Sequence, residues 1–300
     1  MKKLLVILGP TGVGKTNLSI DIAQHLKCPI VSSDSRQIYK GMTIGTDAPS
    51  QKQLEKVTHY FISTLSVDEY FSASQFEDEA LALLSQLYQK LDCVIMSGGS
   101  MMYIDAVCKG IDDVPDIDPV LRKQLMELYE EEGLDPIRKQ LKMRDPIFYD
   151  QVDLKNPKRV IHALEVCIMT GKPYSSFLTN TVKERPFEII KIGLTRPREE
   201  LYQRINARVD QMIENGLIDE ARQFYPYKDF NSLNTVGYKE LFKYFDGDWT
   251  LEFAIDKIKQ HSRNYARKQL SWYNRDKEIH WINLSDKNID AKKEIIEKVR

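Results

Sequence analysis

"KLLVILGPTGVGKTNLSIDIAQHL", residues 3–26, decides the fold. Its centre, Gly9 to Thr16, fits G-x-x-x-x-G-K-[ST], the pattern of a phosphate-binding loop. Six apolar-rich residues precede it and read as a buried strand. Leu18, Ile22 and Leu26 follow at helical spacing. Strand, glycine turn and helix in that order form the context in which the motif carries chemistry. Glycines let consecutive backbone N–H groups converge on phosphate oxygens, and the helix N-terminus adds the positive end of its dipole. Gly9, Pro10, Thr11, Gly12, Val13, Gly14, Lys15 and Thr16 are therefore the candidate phosphate cradle. Lys15 supplies a charge there, and the Thr16 hydroxyl suits a Mg²⁺ ion.

The remaining segments extend the same architecture. Residues 29–34, 58–64 and 91–99 read as further strands. "SASQFEDEALALLSQLYQK" (72–90) sets Phe76, Ala80, Leu83 and Leu87 on one helical face, with Ser72 or Ser74 as N-cap. Alternation of strand and helix predicts an α/β fold with a parallel, P-loop NTPase-like sheet. Prolines 115, 119, 136, 146, 157 and 173 then punctuate short helices without a strand. This predicts a helical insertion domain at 116–184, set into a catalytic core formed by 1–115 and 185–300. "FEIIKIGL" (187–194) returns to strand character, and the rest reads as helix.

Composition bounds the function. The 300 residues are 42% hydrophobic and 29% charged, as in an ordinary soluble protein, and no apolar run is long enough to span a membrane. The N-terminus has no small-residue cleavage site, so no signal peptide is expected. Four scattered cysteines (Cys28, Cys93, Cys108, Cys167) suggest reduced thiols in a cytoplasmic protein and offer no zinc cluster. A net charge of −1 conceals an uneven layout. "IDDVPDIDP" (111–119) is acidic, whereas 257–277 carries seven cations against Asp276 alone.

A phosphate loop does not specify the reaction. The strand "CVIMSGGS" ends in serine and glycines and lacks the acid that nucleotide-hydrolysing motors use for magnesium, which disfavours that class. Asp34, at the end of the second strand in "SSDSRQ", reaches the edge where ligands of parallel sheets bind. Its carboxylate is either a base acting on an acceptor beside the phosphates or a cap for the following turn. The neighbouring Gln37 amide matches the donor–acceptor pattern of a purine edge.

"GPTGVGKT", "SSDSRQIYKGMTIGT", "FSASQFEDEA", "NPKRVIHALEV", "GLTRPREELYQRINARVDQMIENGLIDEAR", "NTVGYKEL" and "RNYARKQLSWY" together resemble the tRNA dimethylallyltransferases over nearly the whole chain. The resemblance implies Mg²⁺-assisted transfer of the dimethylallyl group from dimethylallyl diphosphate to the exocyclic N6 amine of the adenosine just 3′ of a tRNA anticodon. It also implies residue roles. Lys15, Thr16 and Arg208 would act on the diphosphate, Asp34 would take the amine proton and Gln37 would hold the base. Ser35, Arg36, Ser100, Arg122, Lys158, Arg159, Lys239, Arg263, Arg267 and Lys268 would join Asp34 and Gln37 in contacting tRNA. Arg204, four residues before Arg208, reads as solvated surface. The insertion would grip the anticodon arm, and the enzyme would act as a monomer. One departure stands out: the family's "GGTGLY" is "GGSMMY" here (98–103), and a bulkier turn would narrow the entrance. The competing expectations are a small-molecule kinase using ATP, with Asp34 as base, and a non-catalytic ATP-dependent RNA-binding protein.

Overall fold

The structure, a computed structural model, describes residues 1–115, 117–179 and 181–299. Asp116, the first residue of the expected insertion, lies outside them. The chain forms β1 (Lys3–Leu8), α1 (Lys15–Leu26), β2 (Ile30–Ser32), α2 (Gln51–Leu54), β3 (His59–Tyr60), α3 (Ala73–Leu87), β4 (Cys93–Ser97) and α4 (Met101–Lys109). Four helices follow: α5 (Pro119–Glu132), α6 (Asp135–Arg144), α7 (Pro146–Gln151) and α8 (Pro157–Thr170). Then come β5 (Glu188–Thr195), α9 (Arg198–Glu214), α10 (Leu217–Phe224), α11 (Tyr238–Phe245), α12 (Leu251–Tyr273), β6 (His280–Asn283) and α13 (Ala291–Val299).

All six strands pair in parallel, in the order β3-β2-β4-β1-β5-β6. β1 is central and, from Leu4 to Leu8, fully buried, so it reads as a continuous apolar run. Its faces still separate. Leu5 and Ile7 join Ile20, Ile22, Ile192 and Ile205 on one side, whereas Leu4, Val6 and Leu8 join Phe76, Leu84, Met96 and Val107 on the other. A third cluster (Ile38, Met42, Val209, Leu217, Tyr238, Leu241) joins the segment after β2 to α9, α10 and α11.

Two strand expectations need correction. β3 is two residues long, because Phe61 and Ser63 adopt left-handed backbone (φ 61° and 51°). The chain there turns so that Ser63 and Thr64 donate to the carbonyls of Gln37 (2.8 Å) and Ile38 (2.7 Å). β6, expected as helix, is a four-residue edge strand registered on β5 from Ile192↔His280 to Thr195↔Asn283.

The chain divides into two compact units, Met1–Cys108 with Glu184–Arg300, and Lys109–Lys183. The second begins before the residue 116 read from the sequence. Its lead-in pairs with its exit: Lys183 N–H donates to Lys109 O (2.7 Å), and Asp112 accepts from Thr179 N–H (3.0 Å). This unit has its own core of Leu125, Ile137, Leu141, Val160, Ile161 and Leu164. Proline stands in the first turn of each of α5, α6, α7 and α8, where the missing N–H costs nothing.

Gly98 ties two strand ends together. A Cβ there would lie 2.5 Å from the Ser33 carbonyl. Gly98→Ala is expected to cost about 1–3 kcal/mol, seen as a lower urea midpoint at unchanged slope.

Candidate functional site

The cradle follows β1 directly. Gly9, Gly12 and Gly14 have φ of 146°, 80° and 115°, values other residues rarely adopt. Added Cβ atoms would also meet Leu194 O at 2.6 Å from Gly9 and Ile205 Cγ1 at 2.8 Å from Gly12. α1 starts at Lys15 with no side-chain cap, which leaves its first N–H groups for an anion. Lys15 Nζ folds back onto the carbonyls of Gly9 and Pro10, both at 3.0 Å. Burial, then the nearby Arg208 cation, lower its pKa to about 8. An anion in the cradle favours the charged form and reverses that shift.

Arginines from the β5–α9 segment brace the loop. Arg196 Nε donates to Val13 O (2.9 Å) and Arg204 Nε to Gly12 O (2.9 Å). Arg204 is thus a loop contact rather than plain solvated surface. The sequence carried a signal in the Arg204/Arg208 pair, one turn apart on α9. Arg208 donates to Thr11 Oγ1 and to Asp47 Oδ2 (2.9 Å), and its buried Nε has no partner among the described residues.

Two cavities meet at Arg208. One of about 410 Å³ is lined by Gly12, Gly14, Lys15, Thr16, Asp47, Arg204 and Arg208. The other, about 470 Å³, is lined among others by Thr11, Asp34, Ser35, Arg36, Ser100, Arg208, Lys239, His261, Tyr265 and Lys268. Both have the size of small-molecule sites. Asp34 takes the turn-capping role with one oxygen: Oδ1 accepts from Arg36 N–H (2.9 Å) and Gln37 N–H (3.3 Å). Its Oδ2 has no hydrogen-bond partner among the described residues. Both readings of Asp34 therefore have an atom available.

The other expected site residues divide by position. Ser100 Oγ pins the Asp34 turn, accepting from Ser35 N–H (2.8 Å). Gln37 turns away from the Asp34 cavity, its Nε2 donating to the carbonyls of Thr46 and Asp47 (3.1 Å each). On α12, Lys259 pairs with Asp210 (2.6 Å) and Arg263 with Asn206 (2.6 Å), both on α9. Arg267 is exposed and donates to Asn264, and of the basic stripe only Lys268 lines the cavity. Arg36 donates to Asn231 O (3.1 Å), and Lys239 is exposed at the cavity wall. In the 109–183 unit, Lys158 and Arg159 are exposed in the first turn of α8. Arg122 makes a bidentate pair with the fully buried Glu165 (2.8 and 2.6 Å). Burial opposes ionisation of Glu165, but Arg122 and His162 hold its pKa below the usual range. Met101 and Met102 line neither cavity: Met101 packs against the core beneath β4, and Met102 is exposed.

Several site residues escaped the sequence reading. Gln269, 1% exposed on α12, accepts from Thr11 N–H (2.8 Å) and donates to Gly99 O (2.8 Å). Tyr265 and Tyr273 also donate to Gly99 O (3.3 and 3.2 Å), and burial raises both phenols so that they remain donors. His261 Nδ1 lies 2.6 Å from Glu240 Oε1. Among the described residues, no group of three or more His, Cys, Asp or Glu is placed to hold a metal ion. The Thr16 hydroxyl in the cradle suits Mg²⁺ carried by a diphosphate, an ion that usually keeps several waters and needs few protein ligands.

A phosphate loop at the rim of a parallel sheet, sharing an arginine with an acid-bearing acceptor cavity, defines a P-loop-type group-transfer enzyme. Residues 37–276 match the family model for IPP transferase. The chain is 62% identical to tRNA dimethylallyltransferase 1 of Phocaeicola vulgatus over 93% of both chains. It is 58% identical to tRNA dimethylallyltransferase 1 of Bacteroides fragilis over 94% of both. It superposes on the tRNA isopentenylpyrophosphate transferase of Bacillus halodurans (TM-score 0.72, 35% identity, 100% and 95% coverage). It also superposes on a eukaryotic dimethylallyltransferase acting on tRNA (TM-score 0.82, 26% identity, 99% and 78% coverage). The chain belongs to the IPP transferase family.

Lys15→Met is expected to remove the stabilisation that a bound diphosphate confers. Pyrophosphate with Mg²⁺ at about 100 times its Kd should raise the melting midpoint of the unaltered protein by about 5 °C. The variant should show almost no rise in the same differential-scanning measurement.

Proposed function

We propose that this protein transfers the dimethylallyl group of dimethylallyl diphosphate to the N6 amine of the adenosine 3′ of the anticodon in tRNA. The observation that carries the reading is the place of Arg208, in the wall of both cavities, with a buried Nε–H that has no partner among the described residues. A diphosphate in the cradle and a base beside Asp34 then share one guanidinium. The relatives, named as enzymes acting on tRNA, support the same choice over an ATP-dependent kinase.

In the transfer, the bond between the allylic carbon and the diphosphate oxygen breaks while the N6–carbon bond forms. Negative charge grows on the departing diphosphate, and Lys15, Arg208 and the first turn of α1 are positioned to stabilise it. Thr16 would hold Mg²⁺, which neutralises part of that charge when bound. Asp34 Oδ2 accepts the proton that the amine loses. Oδ1 stays on its two backbone N–H groups and fixes the carboxylate's direction. A purine amine is a weak nucleophile, so positioning contributes heavily, on the order of 7–11 kcal/mol in well-oriented cases. The adenine must leave its stack to enter the cavity. Lys239 and Lys268 at the rim, and Lys158 and Arg159 on the insertion, are phosphate contacts for the anticodon arm. The protein acts as a cytoplasmic monomer. No described helix is long and apolar enough to cross a membrane.

Incubation with dimethylallyl diphosphate, Mg²⁺ and unmodified tRNA should yield an adenosine heavier by one prenyl unit, read by mass spectrometry. Asp34→Asn should lower kcat by about 10²–10⁴-fold and leave tRNA affinity within about twofold. Full activity in that variant overturns the base assignment.

A further inference from the structure

Glu220, on α10, carries a carboxylate that the transfer does not use. It is 7% exposed, and among the described residues no lysine, arginine or histidine forms an ion pair with it. A buried charge in that position is costly unless hydrogen bonds replace its water. Five do. Oε2 accepts from Thr43 N–H (3.0 Å), Thr43 Oγ1 (2.9 Å) and Ile44 N–H (2.8 Å). Oε1 accepts from Gly45 N–H (2.8 Å) and Tyr238 OH (2.6 Å). Three consecutive backbone amides thus point at one carboxyl group, whose two oxygens together supply the lone pairs that these donors need.

What these bonds hold is the segment from Met42 to Asp47. Gly45 packs so closely on Tyr238 that a Cβ would lie 2.6 Å from the ring. Beyond it the carbonyls of Thr46 and Asp47 take both Gln37 Nε2 bonds. Asp47 is left-handed (φ 53°) and delivers Oδ2 to Arg208 Nη1 at 2.9 Å. Arg208 in turn reaches Thr11 of the cradle. The chain of contacts from Glu220 to the shared wall of the two cavities is therefore continuous.

We propose that Glu220 is a positioning residue for group transfer: by clamping Thr43–Gly45 it sets Asp47, and through Asp47 the Arg208 guanidinium between diphosphate and acceptor. The inference rests on the transfer reading above. Tyr238 completes the clamp, which explains why a tyrosine hydroxyl is spent in a fully buried site.

The test is a double-variant cycle on the full chain with Glu220→Gln, Asp47→Asn and both together. It follows kcat, the KM for each substrate and the melting midpoint. Glu220→Gln keeps shape but cannot accept with its NH₂ group. It is expected to lower kcat by about 10–100-fold and to raise the KM for dimethylallyl diphosphate, with the KM for the RNA within about twofold. Because both residues act through Arg208, the double variant should fall no further than the lower single one. Multiplying losses, or unchanged kcat in Glu220→Gln, overturn the proposal. Should Glu220→Gln fail to fold, Tyr238→Phe, which removes one of the five bonds, decides the matter. It must lower kcat by about 2–5-fold without adding to the Asp47→Asn loss, and unchanged kcat overturns the proposal. Should the unaltered protein form no prenylated nucleoside, the transfer reading itself falls. The clamp is then judged by pyrophosphate affinity, which must weaken about tenfold or more in Glu220→Gln; equal affinity overturns it.

Discussion

Because every strand of the sheet runs the same way, every strand delivers its carboxyl end to one rim. The phosphate loop leaves β1 there, the Asp34 turn leaves β2, the Gly98–Ser100 turn leaves β4 and Arg196 follows β5. These four segments then bond to one another: Ser100 to Ser35, Gln269 between Thr11 and Gly99, Arg196 to Val13. β4 lies between β1 and β2, so the cradle and the acid are two strand spacings apart, about 10 Å. An acid set at the cradle itself would repel a bound phosphate, whereas one at the end of β2 stands clear of it.

Electrostatics at the rim follow from what the cradle is for. Lys15, Arg204 and Arg208 crowd the loop, and Asp47 offsets only part of their charge. Burial first, and the Arg208 cation second, lower the Lys15 pKa to about 8, with Asp34 and Asp47 opposing the shift. An unfolded chain binds the Lys15 proton up to the usual lysine range. The Lys15 contribution to stability therefore rises as pH goes from about 8 toward that range. Below that window protonated Lys15 costs stability, and an anionic ligand in the cradle offsets that cost, which is how a binding site differs from a well-neutralised surface cluster.

Much of the architecture was legible because its determinants are local. The strand, glycine turn and helix of residues 3–26 are fixed by spacing within one short segment, and the prolines of 119–157 each open a helix where their missing N–H is harmless. The places where reading failed share a physical cause. β6 has four residues, three of them aromatic or polar, too few for a period to show. It exists because β5 offers a free edge. The run at 58–64 looks like a strand, but hydrogen bonds to Gln37 and Ile38 turn it after Tyr60. Arg204 shows the period of an exposed helical face, and only the approach of Gly12 makes it a contact.

The sequence by itself determined the glycine loop after β1 and the acid at the end of β2, because glycine conformations and charged side chains are properties of short segments. Tertiary structure alone decided which partners complete them. Gln269 meets Thr11 across 258 positions, and Glu220 meets Gly45 across 175. It also decided that Gln37 and most of the α12 cations spend their donors on neighbouring chain rather than in the cavity. Such pairings depend on which elements the sheet order brings side by side, and no local pattern of residues encodes that distance.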